Sequence, residues 1–128
     1  MKKAYKILIV EDDLKLQRVL NDKIEQEGWQ SAVAIDGEEG LRRIEEFKPD
    51  IVLLDLRLPR MGGMEMLAAA RKKYSRKELP VIVLTNYGDA DNISQSLELQ
   101  AEAFMIKSNY SLQEVIDKIN SILKSRQA

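Results

Sequence analysis

Three runs of four consecutive apolar residues constrain the fold more than any other feature: Ile7-Leu8-Ile9-Val10, Ile51-Val52-Leu53-Leu54 and Val81-Ile82-Val83-Leu84. They are rich in β-branched side chains and lack polar alternation, so each reads as a strand covered on both faces, as in the middle of a parallel sheet. Ser31 to Ile35 and Ala103 to Ile106 are weaker and suit edge strands. Amphipathic segments separate the runs. Leu16, Val19, Leu20 and Ile24 share one face of a first helix, Leu41 and Ile44 mark a second, and Met64, Leu67 and Ala68 a third. Ala90, Ile93, Ser94 and Leu97 mark a fourth, and Leu112, Val115, Ile116, Ile119, Ile122 and Leu123 form the stripe of a fifth. Gly28 follows the first helix, Pro49 ends the second, and Pro80 separates the third from its strand. Asp13 is placed to cap the first helix, and Asp36 with Glu39 and Ser111 with Glu114 have capping-box spacing. Strand-helix units joined by right-handed crossovers give an α/β, doubly wound five-stranded parallel sheet with helices on both faces. With 128 residues and no linker, repeat or low-complexity stretch, residues 1–128 are expected to form a single domain.

Every strong strand runs into something polar at its carboxyl end: Glu11-Asp12-Asp13, Asp55, Thr85, and Lys107 after the fifth. In a parallel sheet these ends share one edge, where ligands bind between crossovers that leave to opposite faces. Two carboxylates about 5 Å apart repel by about 3 kcal/mol at an effective dielectric near 20, so such a cluster needs compensating charge. Lys107 supplies one positive charge. Because the remaining ligands are all oxygens, a hard divalent cation is the natural second source, and Mg2+ fits, binding one or two carboxylates and leaving room for a phosphate oxygen. Asp is a competent nucleophile for aspartyl-phosphate chemistry, and phosphorylation of Asp55 would change its charge from −1 to about −2. The chain contains neither Cys nor His, which excludes disulfides, thiolate chemistry, imidazole metal sites, His-dependent triads and a phosphohistidine of its own. Twenty Lys+Arg against 21 Asp+Glu leave a net charge of −1, so no global field draws the chain to nucleic acid or a membrane. Met1-Lys2-Lys3 leads into an apolar run too short for a signal peptide, and a soluble, cytoplasmic protein is expected.

In combination these residues resemble the receiver domains of two-component response regulators, over essentially the whole chain. Val10-Glu11-Asp12 is similar to the family's acidic pair, and Leu53-Leu54-Asp55-Leu56-Arg57-Leu58-Pro59 with Gly63 is similar to its phosphoacceptor segment. Leu84-Thr85 resembles the switch hydroxyl position, Phe104 the switch aromatic, and Met105-Ile106-Lys107 the lysine segment. The resemblance implies strand order 2-1-3-4-5 and phosphorylation of Asp55 by a sensor histidine kinase or histidine phosphotransfer protein. It implies Mg2+ held by Asp12, Asp55 and the Arg57 backbone carbonyl, with Glu11 acting through water. Thr85 and Phe104 would then rearrange the face made by the fourth helix, fifth strand and fifth helix, which meets a downstream protein. The protein would be a switch with only Mg2+-dependent self-phosphorylation and self-dephosphorylation, monomeric or dimerising on phosphorylation.

Several positions depart from the family pattern. Ser108 follows the lysine where receivers usually carry a cis proline; a non-proline cis bond costs about 3 kcal/mol, so a trans bond or remodelled loop is expected. Asn86 and Tyr87 are bulkier than usual after the switch Thr, Gly62 stands where a polar residue is frequent, and Arg57 with Tyr87 is expected to flank the entry to Asp55 and limit attacking water. Arg71-Lys72-Lys73 with Arg76-Lys77 reads as a solvated helix end rather than a nucleic-acid patch, since it lacks interleaved aromatics. Leu14 and Arg18 are expected to be exposed on the first helix, on the family's kinase-docking side, and Met61, Met64 and Met66 to serve packing. Two rival functions share the fold. A haloacid-dehalogenase-type phosphohydrolase places Asp-x-Asp after the first strand, whereas here the residue two beyond Asp55 is Arg57. A flavodoxin-like carrier needs a Ser/Thr/Gly-rich phosphate loop where this chain has Glu11-Asp12-Asp13.

Overall fold

In a computed structural model the chain is described over residues 4–126, so Met1-Lys2-Lys3, read above as too short a leader, lies outside the described residues. The elements are β1 (Lys6–Val10), α1 (Leu14–Gln26), β2 (Gln30–Ala34), α2 (Gly37–Phe47), β3 (Ile51–Leu54), α3 (Gly63–Arg71), β4 (Val81–Thr85), α4 (Ala90–Glu98), β5 (Ala103–Ile106) and α5 (Leu112–Ser125). All neighbouring strands are parallel, in the order β2-β1-β3-β4-β5. The three apolar runs are the three inner strands. Successive side chains of a strand point to opposite faces, and the buried residues accordingly divide into two cores. Ile7, Ile9, Ile51, Leu53, Ile82 and Leu84 pack with α1 and α5 on one face. Leu8, Val10, Val52, Leu54, Val81 and Val83 pack with α2 and α3 on the other. Trp29, just before β2, lies in the first core edge-on to Tyr5, with ring centroids 6.1 Å apart; its indole N–H has no hydrogen-bond partner.

Caps set the helix starts. Asp13 accepts from the amides of Lys15 and Leu16, Asp36 from that of Glu39, and Ser111 and Glu114 form a reciprocal capping box. The Lys107–Ser108 bond is trans, and Lys107–Asn109 form one 3-10 turn that carries the chain from β5 to the Ser111 cap, the remodelled loop expected there.

The structure corrects the sequence reading at several positions. β2 starts and ends one residue earlier than expected, at an edge where only one neighbouring strand fixes the ladder, and Ile35 lies outside it and is exposed. Val19 is exposed, because α1 turns only Gln17, Leu20 and Ile24 fully into the core. In α3 the buried stripe is Gly63, Met66, Leu67 and Ala70, with Met64 and Ala68 at its margins. In α4 Ser96 is the buried residue, satisfied by the Ile93 carbonyl at 3.0 Å, whereas Ser94 and Leu97 face outward and Leu97 is 60 % exposed. Arg71 is likewise not a solvated helix end. Its guanidinium turns inward and donates to the carbonyls of Leu79 at 2.8 Å, Gln100 at 3.0 Å and Leu99 at 3.1 Å, tying α3 to the end of α4.

Candidate functional site

Parallel registry brings the remote polar residues to one edge. Val10 pairs with Leu54, so Glu11 and Asp55 leave β1 and β3 at the same level. Leu54 pairs with Val83, and Thr85 with Ile106, so Thr85 and Lys107 follow on the next two strands. Carboxylate oxygens of Glu11, Asp12 and Asp55 all lie within 4.8 Å of one another. The Lys107 ammonium bridges two of these groups, at 2.6 Å from Glu11 Oε1 and 2.9 Å from Asp55 Oδ2. Glu11 and Asp55 are buried and Asp12 is exposed, so the cluster is closed at its base and open toward solvent.

The electrostatics are those of an under-neutralised acidic cup. Burial pushes the Glu11 carboxyl above its ordinary value, against the lowering effects of Lys107 and of the Asp13 amide that donates to it at 3.0 Å; the neighbouring Asp55 charge raises it further. Burial also works to lower the Lys107 ammonium, but its hydrogen bonds to Glu11 and Asp55 outweigh this and hold it above its ordinary value. One pair thus stabilises the lysine charge, while the same burial leaves Glu11 short of compensation. The Gln17 side chain, which sequence reasoning missed, fastens β1 here by donating to the Glu11 backbone carbonyl. Its signal was a polar residue at a core-facing position of α1.

The loop from Asp55 to α3 is folded tightly against the cluster. Asp55 Oδ1 accepts the Arg57 amide at 3.3 Å, and the Gly63 amide closes the loop on the Leu56 carbonyl at 2.9 Å. A β-carbon on Gly63 would stand 2.2 Å from the Asp55 carbonyl oxygen, so only glycine fits. The Arg57 guanidinium lies 4.4 Å from the Tyr87 ring centre and donates to its hydroxyl, which joins the two residues expected to flank the entry to Asp55. Thr85 is fully buried, and its hydroxyl oxygen accepts the Tyr87 amide at 3.2 Å, which leaves the hydroxyl proton available. Phe104 is half-buried and packs against the core that holds α2 and α3. Leu14 is 70 % exposed and Arg18 is exposed, as expected; Met66 is buried and Met61 packs beside it. A groove of about 570 Å³ lined by Asp13, Lys15, Leu16, Val19, Asn86, Lys107 and Leu112 opens beside the lysine.

The donor set suits a hard cation. Its oxygens, within 4.8 Å of one another, are close to the spacing of about 4.2 Å between opposite ligands of an ion bound at about 2.1 Å, so the three carboxylates could hold such a cation. The rival readings gain nothing from this geometry. Arg57 turns its side chain to Tyr87 rather than offering an acid or base beside Asp55, and the loop after the first strand carries carboxylates rather than the Ser, Thr and Gly donors a flavin phosphate needs.

The chain is similar to several known proteins. Sporulation initiation phosphotransferase F of Bacillus subtilis is 36 % identical over 118 residues, covering 92 % of this chain and 93 % of that protein. A probable transcriptional regulator of Cyanophora paradoxa is 32 % identical over 93 % of this chain, which spans only 48 % of that protein. Among solved structures, a CheY-like response regulator receiver domain protein from Methanospirillum hungatei superposes with a TM-score of 0.90 at 30 % identity, covering 98 % of both chains. The BeF3-activated receiver domain of RstA from Klebsiella pneumoniae superposes with a TM-score of 0.82 at 26 % identity, covering 90 % of this chain and 95 % of that one. Residues 7–120 match the family model of the response regulator receiver domain, and the chain belongs to that family.

Proposed function

We propose that the chain is a phosphoacceptor switch forming a single receiver unit, in which Asp55 takes a phosphoryl group from a phosphohistidine on a partner kinase or phosphotransfer protein. The observation that carries this reading is the Lys107 ammonium bridging Glu11 and Asp55 beside the solvent-open Asp12. An Asp55 carboxylate oxygen attacks phosphorus, the P–N bond to the partner's imidazole breaks, and an acyl phosphate forms. The partner must supply that imidazole, because this chain has no histidine. Asp12, Asp55 and the Arg57 backbone carbonyl would hold Mg2+ directly and Glu11 through water; when bound, the ion supplies positive charge opposite the transferring oxygens. Lys107 pairs with the new phosphoryl oxygens in place of the lost carboxylate charge. Thr85 then donates its hydroxyl proton to a phosphoryl oxygen, giving up its bond from the Tyr87 amide. That movement frees space for Phe104 to turn inward, and the face of α4, β5 and α5 changes toward a downstream protein. The groove beside Lys107 and the exposed Leu14 and Arg18 offer the donor protein an approach.

Incubation with Mg2+ and acetyl phosphate, followed by intact-mass measurement, tests the reading. A gain of one phosphoryl group in the wild type, lost in Asp55→Asn and in the presence of a chelator, is expected. Labelling that persists in Asp55→Asn would remove Asp55 from its role.

A further inference from the structure

We propose that the Asp36–Arg60 ion pair is a positioning device for the site: it clamps the loop after β3 onto the start of α2 and so holds the Arg57 carbonyl where a divalent cation can use it. This rests on the reading that the acidic cluster takes Mg2+. Asp36 is a buried carboxylate, 5 % exposed, with no part in the phosphoryl chemistry. One of its oxygens caps α2 through the Glu39 amide at 2.8 Å, and the other accepts from Arg60 Nε. A second tie lies beside it, since the Gly37 amide donates to the Met61 carbonyl at 2.8 Å. These bonds grip residues 60 and 61, while the Arg57 amide and the Gly63–Leu56 bond grip the two ends of the same loop. The Arg57 carbonyl sits between these fixed points.

Arg60 adopts φ +61°, a left-handed conformation that glycine takes freely and side-chain-bearing residues rarely adopt. An arginine here accepts backbone strain, and what it gains is the bond to Asp36. The Arg60 side chain is 55 % exposed, so solvent screens its charge and the pair adds little to global stability although Asp36 is buried. Its effect belongs to the local shape of the loop.

Two variants separate positioning from simple charge. Arg60→Gly keeps the backbone conformation unstrained and removes the pair; Asp36→Asn keeps an acceptor for the Glu39 amide and removes the negative partner. If the residues acted only through long-range charge, Arg60→Gly would strengthen Mg2+ binding and Asp36→Asn would weaken it. Positioning predicts the same sign for both: calorimetric titration with Mg2+ gives an affinity about tenfold weaker in each, the lower end of what outer-shell partners contribute to metal sites. The double variant is no weaker than either single one. In metal-free protein, hydrogen exchange at the Gly37 amide accelerates in both variants, while the urea midpoint of Arg60→Gly stays at or above wild type. Unchanged or tighter Mg2+ binding in Arg60→Gly, or unchanged Gly37 exchange, overturns the proposal. A wild type that takes up no Mg2+ overturns the reading of the site and this inference with it, whereas uptake by the wild type with unaltered variants overturns this inference alone.

Discussion

Lys107 faces two carboxylates at hydrogen-bonding distance, and most of the site's energetics follow from that one side chain. Replacing it by Ala leaves Glu11 and Asp55 buried without their shared cation, only backbone amides still donating to them, a loss of about 3 kcal/mol for a largely buried pair, which urea denaturation without metal will register. The same replacement deepens the negative charge of the cup, so Lys107→Ala should bind Mg2+ more tightly by calorimetry even as phosphorylation fails. Glu11 behaves in the opposite sense. Its folded pKa is raised, chiefly by burial, so its ionisation opposes folding at neutral pH, and that cost disappears as pH falls through the raised value. Glu11→Gln should therefore melt higher than wild type at pH 7 without metal, with the gap closing on acidification, and should gain less from added Mg2+. If the Arg57–Tyr87 stack limits water at Asp55, trimming both to Ala should make the acyl phosphate, followed by mass measurement after donor removal, decay faster. Glu11, Asp12, Asp55, Thr85 and Lys107 stood out in the sequence because each ends or follows a strand pattern, and strand ends converge by topology, whereas Phe104, inside β5, was singled out only by the family resemblance. Asp36 was legible only as a cap. Its bond to Arg60 depends on a left-handed residue in a loop, which no periodicity encodes.

The three inner strands and the fifth helix were plain in the sequence, since a fully apolar run and a long stripe each leave one solution. The fourth helix was read as a helix, but its buried face was not. Its apolar residues do not all face inward, because the helix is held largely from its end: Arg71 reaches from α3 to the Leu99 and Gln100 carbonyls, and partner chemistry of that kind has no hydrophobic period. Arg71→Ala strands these acceptors and should destabilise the fold by about 2–3 kcal/mol, as expected for hydrogen bonds from a charged donor. Arg71→Lys should recover little, because an ammonium cannot fork to several carbonyls in one plane. Both are read by urea denaturation. A further expectation is that α4 becomes the first helix to exchange its amides in Arg71→Ala. The capping box of α5 was readable from Ser111 and Glu114 alone, because both partners lie within one turn.

Across the molecule, pH separates two carboxyl groups shifted in opposite directions, Glu11 upward and Asp36 downward. The Glu39 amide and then the Arg60 guanidinium hold the Asp36 carboxyl below the usual carboxylate range. Its contribution is therefore complete above the unfolded pKa and lost as pH falls through the depressed folded value, so Asp36→Asn should flatten the acid limb of a stability-against-pH curve. Trp29 closes the account from the other end of the sheet. It is the chain's one tryptophan and sits beside the amino end of β2, packed on Tyr5, with the full length of the strands between it and the acidic cup. Indole emission is consequently a gauge of the foundation and blind to the doorway. Adding Mg2+ should leave its spectrum still, whereas Tyr87, stacked on Arg57 two residues from Asp55, is where an optical signal of occupancy is expected.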